Sequence, residues 1–262
     1  MAFNPLSQNL AGIWDFIATI ISLVSVFLLV QINALIQKSD RLSTIMTRKL
    51  VHIFAGPIYI ITWILFSGSF FSRYIAMIVP ILFILLFVAV GTGRMKNENF
   101  VASMSRTGDP KELLGGTLYY AIIMVLLTIF WFYIPDNPMA MIIIGCLSGG
   151  DGLAHIIGRK YGGEKKFGIG GSEKTLIGSL AMFLGSFITN SILVFIFSIE
   201  RPWINIFLLM LPIVIISLVT TIVEALSPKG LDNWLIFFTV ILMVLLISTL
   251  LPEFWPYQYI SY

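Results

Sequence analysis

The chain has 262 residues, of which 58% are hydrophobic and only 11% are charged, and its formal net charge at pH 7 is +3. Soluble globular proteins are about half apolar and about a quarter charged, so this composition excludes an ordinary soluble domain and indicates a membrane protein. The single cysteine, Cys146, excludes an internal disulfide framework and a cysteine-based metal cluster.

Apolar runs long enough to cross a bilayer recur along the whole sequence, since a spanning helix needs about 20 mostly apolar residues. The sequence predicts an all-α, polytopic membrane protein with eight such helices, at roughly 14–36, 50–68, 74–91, 117–135, 138–158, 175–199, 203–223 and 234–251. Pro80 could kink the third helix, and glycines beside Asp151 make the fifth unusual. We treat residues 1–262 as a single membrane-embedded domain and expect no cleaved signal peptide, because no basic region precedes the first apolar run.

Basic residues alternate from one connection to the next. Fourteen of the 16 Lys and Arg residues lie in four alternate connections, which are 37–49, 92–116, 159–174 and 224–233. The other connections hold only Arg73 and Arg201. The positive-inside rule therefore predicts that the four basic connections face the cytoplasm and that both termini lie on the non-cytoplasmic side.

Two weaker polar segments precede the main one. The segment RKLVHI, residues 48–53, puts Arg48, Lys49 and His52 on one face at the start of the second helix, where an interfacial anchor is the alternative to a site role. Glu112 lies about one turn before the fourth helix. Acidic residues near a helix start are common, so Glu112 is a modest candidate from sequence alone.

The stretch GCLSGGDGLAHIIGRKYGG contains the most unusual residue, Asp151. It lies about 10 Å below the predicted end of the fifth helix, at 1.5 Å per residue. A carboxylate at that depth is costly and is a functional candidate, with a salt bridge to a neighbouring lysine as the structural alternative. The flanking glycines could let the helix unwind or let another backbone approach. Asp151, His155 and Arg159 share one helix face, and His155 could also be a packing residue.

The following loop, within GRKYGGEKKFGIGGSEKTLIGS, is rich in glycine and lysine. Lys174 and Thr175 invite comparison with a P-loop, but Glu173 stands where that motif requires glycine, and no strand precedes it. Flexible backbone N–H groups, cationic side chains and a helix N-terminus nevertheless suit a polyphosphate. Binding to anionic lipid headgroups is the alternative.

The segment EALSPKGLDNW, residues 224–234, contributes further acids. Glu224 falls near the C-terminal end of the seventh helix, where the macrodipole disfavours an anion, so its carboxylate needs a metal ion, an arginine or a lysine. Asp232 and Asn233 precede the eighth helix, and Asp232 could be its N-cap, a site residue or both.

Five segments in this order resemble the family of phytol kinases, dolichol kinases and CTP-dependent diacylglycerol kinases. They are Arg48-Lys49 with His52, ELLGGTLYYA, GDGLAHIIGRKYGG, SEKTLIGSLAMF and VEALSPKGLDN. The turn before KELLGGTLYY is most similar to the phytol kinase branch. The matched motif positions are Asp151, Ala154, Gly158, Arg159, Gly162, Lys174, Gly178, Glu224, Asp232 and Asn233. The chain departs from the family at Thr175, where serine is usual, and in lacking a proline soon after Asn233.

The resemblance implies a kinase that uses a nucleoside triphosphate, typically CTP, and Mg²⁺ or another divalent cation to phosphorylate an isoprenoid alcohol such as phytol, geranylgeraniol or farnesol. For that reaction we expect Asp151, Glu224 and Asp232 to bind the metal ion, and the carboxylate of either Asp151 or Glu112 to orient or deprotonate the alcohol. The nucleotide or phosphate contacts that we expect are Arg159, Lys174, Lys165, Lys166, Gly162, Asn233, Arg48, Lys49 and His52.

Other functions remain open at this stage. A CTP-dependent diacylglycerol or dolichol kinase, a cytidylyltransferase that forms a CDP-lipid, and a lipid or anion transporter are the alternatives. We expect the bilayer as the environment, no nucleic-acid partner and an optional oligomer. The expected location is a prokaryotic cell membrane, with the active site facing the cytoplasm.

Overall fold

The computed structural model describes residues 5–38, 44–105, 107–132 and 137–257. These residues form helices joined by turns, and the described ranges contain no β-strand beyond one isolated bridge between Phe167 and Lys174. The all-α prediction is therefore confirmed. The chain divides into two compact units, Met1–Tyr133 and Ile134–Tyr262. Its treatment as a single kinase domain stays a prediction.

The described part of the first unit contains six α-helices. They are α1 (Ala11–Lys38), α2 (Thr44–Ile61), α3 (Ser72–Ala76), α4 (Ile78–Gly91), α5 (Glu98–Met104) and α6 (Gly116–Trp131). A short 3₁₀ turn, Pro110–Leu114, precedes α6. The apolar core is formed by buried side chains from five of these helices and that turn, which are Val30, Val51, Phe87, Val90, Phe100, Val101, Met104, Leu113 and Ala121.

The described part of the second unit contains five α-helices. They are α7 (Met139–Ile144), α8 (Asp151–Tyr161), α9 (Leu176–Glu200), α10 (Ile206–Ala225) and α11 (Asp232–Leu250). A π-helical segment, Gly145–Gly150, joins α7 to α8 without a break. This composite helix packs against α9, α10 and α11.

Eight helical stretches among the described residues are long and apolar enough to cross a membrane, which confirms the predicted number. They are Gln8–Gln37, Met46–Leu65, Ser72–Gly91, Pro110–Trp131, Met139–Tyr161, Leu176–Glu200, Ile206–Ala225 and Asp232–Leu250. The predicted end of the fourth span, at residue 135, lies outside the described residues. In the most apolar 18 residues of the fifth span, 78% are buried, whereas the corresponding share in the other spans is 33–44%. The fifth span is therefore the most enclosed of the eight.

Pro80 interrupts the third span, as its missing N–H group predicts. A regular helix would need the residue 80 amide to donate to the carbonyl of Ala76, and the helical run indeed breaks at Met77 between α3 and α4. The Tyr59 hydroxyl donates to that Ala76 carbonyl at 3.1 Å. The break is therefore compensated by a hydrogen bond from α2.

A buried carboxylate ties the start of α1 to the connection between α2 and α3. The side chain of Asp15 is fully buried. It accepts hydrogen bonds from the Ser67 amide (2.7 Å) and hydroxyl (2.9 Å), the Ser69 hydroxyl (3.1 Å) and the Ser72 hydroxyl (2.6 Å). Four donors satisfy a charge that would otherwise be very costly in an apolar interior.

Candidate functional site

Asp151 lies in the most enclosed helix, directly after the π-helical segment. It is the first residue of α8, and only 5% of it is exposed. The helix does not unwind at the glycines; instead the backbone of α9 approaches them. A Cβ atom placed on Gly149 would lie 2.8 Å from the carbonyl oxygen of Gly185. Of the two roles predicted for these glycines, the structure has the close approach.

The same close packing continues to the end of α8. A Cβ atom on Gly178 would lie 3.1 Å from the carbonyl oxygen of Ala154 and 3.2 Å from the Cα atom of Gly158. The Thr175 hydroxyl accepts the Gly178 amide at 3.1 Å and so caps the N-terminus of α9. Any hydroxyl at position 175 can provide this cap, so threonine and serine are equivalent here.

A tight hairpin carries Lys174 to the start of α9. Its backbone pairs with Phe167 through two hydrogen bonds, with N–O distances of 3.0 and 2.7 Å. At the tip, the Ser172 hydroxyl accepts the Ile169 amide at 3.1 Å, and Gly170 adopts a left-handed φ of 60°. These hydrogen bonds form a turn that holds the backbone of Lys174.

The hairpin rests on the connection between α10 and α11. A Cβ atom on Gly170 would lie 2.8 Å from the Cβ atom of Pro228, so only glycine permits this contact. The Lys229 amide donates to the Gly170 carbonyl at 3.4 Å. This contact joins the two connections that carry the predicted phosphate-binding and acidic residues.

Lys174 and Glu224 form a buried ion pair through Nζ and Oε1. The side chain of Lys174 is 17% exposed and that of Glu224 only 3%. The sequence left a metal ion, an arginine or a lysine as partners for Glu224, and the structure has the lysine. Ser227 donates its amide (3.1 Å) and hydroxyl (2.7 Å) to the Glu224 carbonyl and thereby terminates α10.

Three carboxylates act on the Lys174 ammonium. Burial by itself lowers the pKa of Lys174, but Glu224 raises it through charge and hydrogen bonding, and Asp151 and Asp232 add to the effect. The resulting pKa lies above the ordinary value for lysine. Lys174 is therefore a permanent cation within a group of acids that belong to three helices.

Asp232 and Asn233 open α11. The structure assigns the N-cap to Leu231 and makes Asp232 the first helical residue, so Asp232 is not the N-cap itself. Its Oδ1 accepts the Asn233 amide at 3.1 Å, and its negative charge still stabilises the first turn. Asn233 is buried, whereas Asp232 is half-buried. The preceding turn, Pro228–Leu231, is closed by a backbone hydrogen bond of 3.2 Å.

The other predicted residues of the second unit lie nearer its surface. Lys166 pairs with Glu173 at 2.5 Å, with the two side chains 51% and 70% exposed. Arg159 and Lys165 are exposed, and Gly162 ends α8 against the side chain of Thr175. These residues border the Lys174 hairpin, and their predicted phosphate contacts stay predictions.

Four predicted site residues, Arg48, Lys49, His52 and Glu112, belong to the first unit. Lys49 is 7% exposed, on α2 beside Arg48. The His52 ring lies 4.5 Å from the Tyr120 ring, and the Tyr120 hydroxyl donates to the His52 carbonyl at 3.2 Å. Glu112 is half-buried in the 3₁₀ turn and accepts the Thr107 hydroxyl at 3.1 Å. Their roles in a site remain predictions.

No group of three or more His, Cys, Asp and Glu side chains within the described ranges is arranged to hold a metal ion. The Glu224 carboxylate contacts Lys174, and the metal roles expected for Asp151, Glu224 and Asp232 stay predictions. Magnesium commonly uses only one or two carboxylates, together with water and substrate phosphates. The oxygen donors of Asp151 and Asp232 fit that pattern.

Sequence reasoning missed the α9 side chains that hold the π-helical segment. Side-chain oxygens of Ser186, Thr189 and Asn190 occupy the positions that Cβ atoms on Gly150, Gly149 and Gly145 would take. The Asn190 amide also donates to the sulfur of Cys146 at 3.4 Å. Their helical spacing in the sixth span was visible in the sequence, and it would have indicated a polar face opposite the glycines.

The chain is similar to plant kinases of isoprenoid alcohols. It is 37% identical over 155 residues to probable phytol kinase 1, chloroplastic, of Oryza sativa subsp. japonica, across 58% of this chain and 48% of that protein. It is 32% identical over 213 residues to phytol kinase 1, chloroplastic, of Arabidopsis thaliana, across 81% of this chain and 69% of that protein. It is 37% identical over 143 residues to farnesol kinase, chloroplastic, of Arabidopsis thaliana, across 55% of this chain and 45% of that protein.

The chain spans about half the length of the rice phytol kinase and the farnesol kinase in these matches. No protein-family model matches the chain. No solved structure matches it either.

Proposed function

The chain belongs to the phytol kinase and polyprenol kinase family, and on that premise we propose that it transfers a phosphoryl group to the hydroxyl group of a membrane isoprenoid alcohol. Phytol, geranylgeraniol and farnesol are the proposed acceptors, and the names of two relatives contain phytol and farnesol. CTP is the proposed donor, from the resemblance of the site motifs.

The grouping of Lys174 with Asp151, Glu224 and Asp232 carries this proposal. Lys174 contacts Glu224 where α9 begins and α10 ends, and Asp151 and Asp232, at the starts of α8 and α11, act on Lys174 by charge. The chain that carries them has eight apolar helices that suit a bilayer. A prenyl alcohol keeps its tail in lipid and its hydroxyl group near the membrane surface, and a nucleotide arrives from water. A charged site at the ends of spanning helices allows the two to meet.

Phosphoryl transfer depends mainly on positioning the reactants and neutralising the charge on the transferred group. Lys174 acts as a fixed point charge for the phosphates, and Arg159 adds a two-pronged contact from the exposed end of α8. Asp151 orients the alcohol and accepts its proton, with Glu112 as the alternative base. The alcohol oxygen bonds to the terminal phosphorus, the bond to the bridging oxygen breaks, and the nucleoside diphosphate leaves.

Asp151 and Asp232 are the carboxylates that we propose for a divalent cation. Such an ion, when bound, supplies positive charge that offsets the charge of the phosphates. Gly162, Lys165, Lys166 and Asn233 remain proposed as further nucleotide contacts. So do Arg48, Lys49 and His52 of the first unit.

The basic connections are proposed to face the compartment that holds the nucleotide, in keeping with the positive-inside rule. The relatives are named as chloroplastic, so they lend no support to the prokaryotic cell membrane expected from the sequence. The multi-pass membrane character itself agrees with the eight apolar helices.

A product assay on the purified protein in detergent tests the proposal. The protein receives Mg²⁺, CTP and, in parallel, phytol, geranylgeraniol, farnesol or diacylglycerol, and both lipid and nucleotide products are followed. We expect an isoprenyl monophosphate and CDP in equal amounts, with little product from diacylglycerol. UTP and ATP replace CTP in matched reactions to determine the donor.

Three results would contradict the proposal in different ways. Preference for diacylglycerol would move the chain to another branch of the family. Release of pyrophosphate with a phosphorylated lipid would indicate a cytidylyltransferase. Absence of product with every donor and acceptor would reject kinase activity for this chain.

A further inference from the structure

Glu224 is a buried carboxylate whose partner is an ammonium group. Its side chain is only 3% exposed, and it lies in the last turn of α10, where the free carbonyl groups already produce a partial negative charge. A buried anion at that place requires a cation. The Lys174 ammonium provides one directly through Oε1, so the charge of Glu224 is balanced without a metal ion.

Lys174 depends on this contact as much as Glu224 does. Its backbone is held by the pairing with Phe167 and by the packing of Gly170 on Pro228, but these contacts leave the long side chain with several rotatable bonds. The ion pair is the contact that selects one direction for the ammonium. An ammonium aimed in advance loses less freedom when a phosphate binds.

We propose that Glu224 is a positioning residue whose carboxylate holds the Lys174 ammonium in place for the nucleotide phosphates, and that it is not a metal ligand. This inference rests on the proposed function for its nucleotide. The hairpin from Phe167 to Lys174 and the end of α10 then act as one element, joined by the ion pair and by the Gly170–Pro228 contact.

The test compares Glu224→Gln with a matched control, Glu173→Gln. The control removes the same charge from a different pair, Lys166–Glu173, in which both residues belong to the hairpin. Their side chains are 51% and 70% exposed. For Glu224→Gln we expect the KM for the nucleotide to rise about tenfold, which corresponds to about 1.4 kcal/mol, with a smaller change in kcat. For Glu173→Gln we expect both constants to stay within about twofold, as for most exposed pairs.

Mn²⁺ binding, measured by electron paramagnetic resonance in detergent without nucleotide, distinguishes the two roles. A positioning residue leaves the Mn²⁺ affinity of Glu224→Gln within about twofold of the wild-type value, since its partner is Lys174. A loss of Mn²⁺ affinity of about tenfold, with the nucleotide KM unchanged, would identify Glu224 as a ligand and overturn the proposal. Glu224→Asp keeps the charge on a shorter side chain and should partly restore the nucleotide KM.

A measurement without nucleotide separates this inference from the proposed function. Hydrogen exchange at the Phe167 and Lys174 amides, which pair with each other, should accelerate in Glu224→Gln and not in Glu173→Gln. Unchanged exchange in both variants, together with an unchanged nucleotide KM in Glu224→Gln, would overturn the positioning role even in an active kinase. Accelerated exchange in a protein without kinase activity would support the positioning role and reject the proposed function. If Glu224→Gln does not fold, Mn²⁺ binding and hydrogen exchange are measured on Glu224→Asp instead.

Discussion

Replacing Gly149 with alanine should disturb the position of Asp151 in a predictable way. Gly149 lies two residues before Asp151 in the π-helical segment, and its Cα faces α9. An added Cβ atom would lie 2.8 Å from the Gly185 carbonyl oxygen, whereas ordinary contacts begin at 3.4 Å. That oxygen belongs to the backbone and cannot rotate away. The Thr189 Cβ atom, at 2.5 Å, is likewise fixed to the backbone, so the two helices must separate locally by the larger difference, about 0.9 Å.

The expected size of the effect follows from this displacement. Overpacking of a tight interior costs about 1–3 kcal/mol, so the melting temperature should fall. Misplacement of a reacting group by about 1 Å can cost about 100-fold in rate, so a shift of about 0.9 Å should lower kcat by about 10- to 100-fold. The nucleotide KM should change less, because Lys174 is held by a separate hairpin and by Glu224.

The assay is thermal unfolding in detergent together with initial rates of lipid phosphorylation. Gly12→Ala is the matched control, because a Cβ atom there meets nothing within 4 Å. Alanine in that exposed helix should raise stability by at most about 1 kcal/mol and leave turnover unchanged. Wild-type melting temperature and kcat in Gly149→Ala would refute the argument, since they would mean that α8 and α9 adapt without moving Asp151.

Three further changes test other parts of the structure. Asp151→Asn should remove nearly all turnover while the melting temperature stays close to the wild-type value, and normal rates would reject its central role. Thr175→Ala should cost about 1 kcal/mol of stability through loss of the α9 cap, whereas Thr175→Ser should be neutral; equal losses in thermal unfolding would contradict the cap. Asp15→Ala should cost about 3 kcal/mol or more, because four donors lose a charged acceptor. Its nucleotide KM should be normal, and an unchanged melting temperature would contradict the structural role of Asp15.

Hydropathy predicted the number and positions of the spanning helices, because a run of about 20 apolar residues is what a helix needs to cross a bilayer. The break at Pro80 also followed from its missing N–H group. The Tyr59 hydroxyl that compensates it lies 17 residues before Ala76, whose carbonyl it contacts. The sequence did not determine whether the helix unwinds at the glycines around Asp151 or another helix approaches them. Unwinding and close approach both suit glycine, and the choice depends on which side chains α9 places opposite them.

The partner of Glu224 shows the same limit at the level of a single side chain. The macrodipole argument required a cation and left a metal ion, an arginine and a lysine equally acceptable. The hairpin that pairs Phe167 with Lys174 decides between them, because it turns Lys174 inward and leaves Lys165 and Lys166 outside. The hairpin also packs through Gly170 against Pro228, a contact between connections 58 residues apart that no local pattern reveals.

The charge balance of the buried group indicates what must accompany a nucleotide into the site. One ammonium, Lys174, pairs with Glu224, and the carboxylates of Asp151 and Asp232 act on it by charge, so acidic residues outnumber basic ones in this group. A neutral alcohol can approach it without an electrostatic penalty, but a triphosphate would be repelled. The phosphates must therefore bring or meet added positive charge, from a divalent cation or from exposed side chains such as Arg159. On this argument the buried acids serve to receive cations and to hold Lys174, and the exposed basic residues serve to attract the nucleotide.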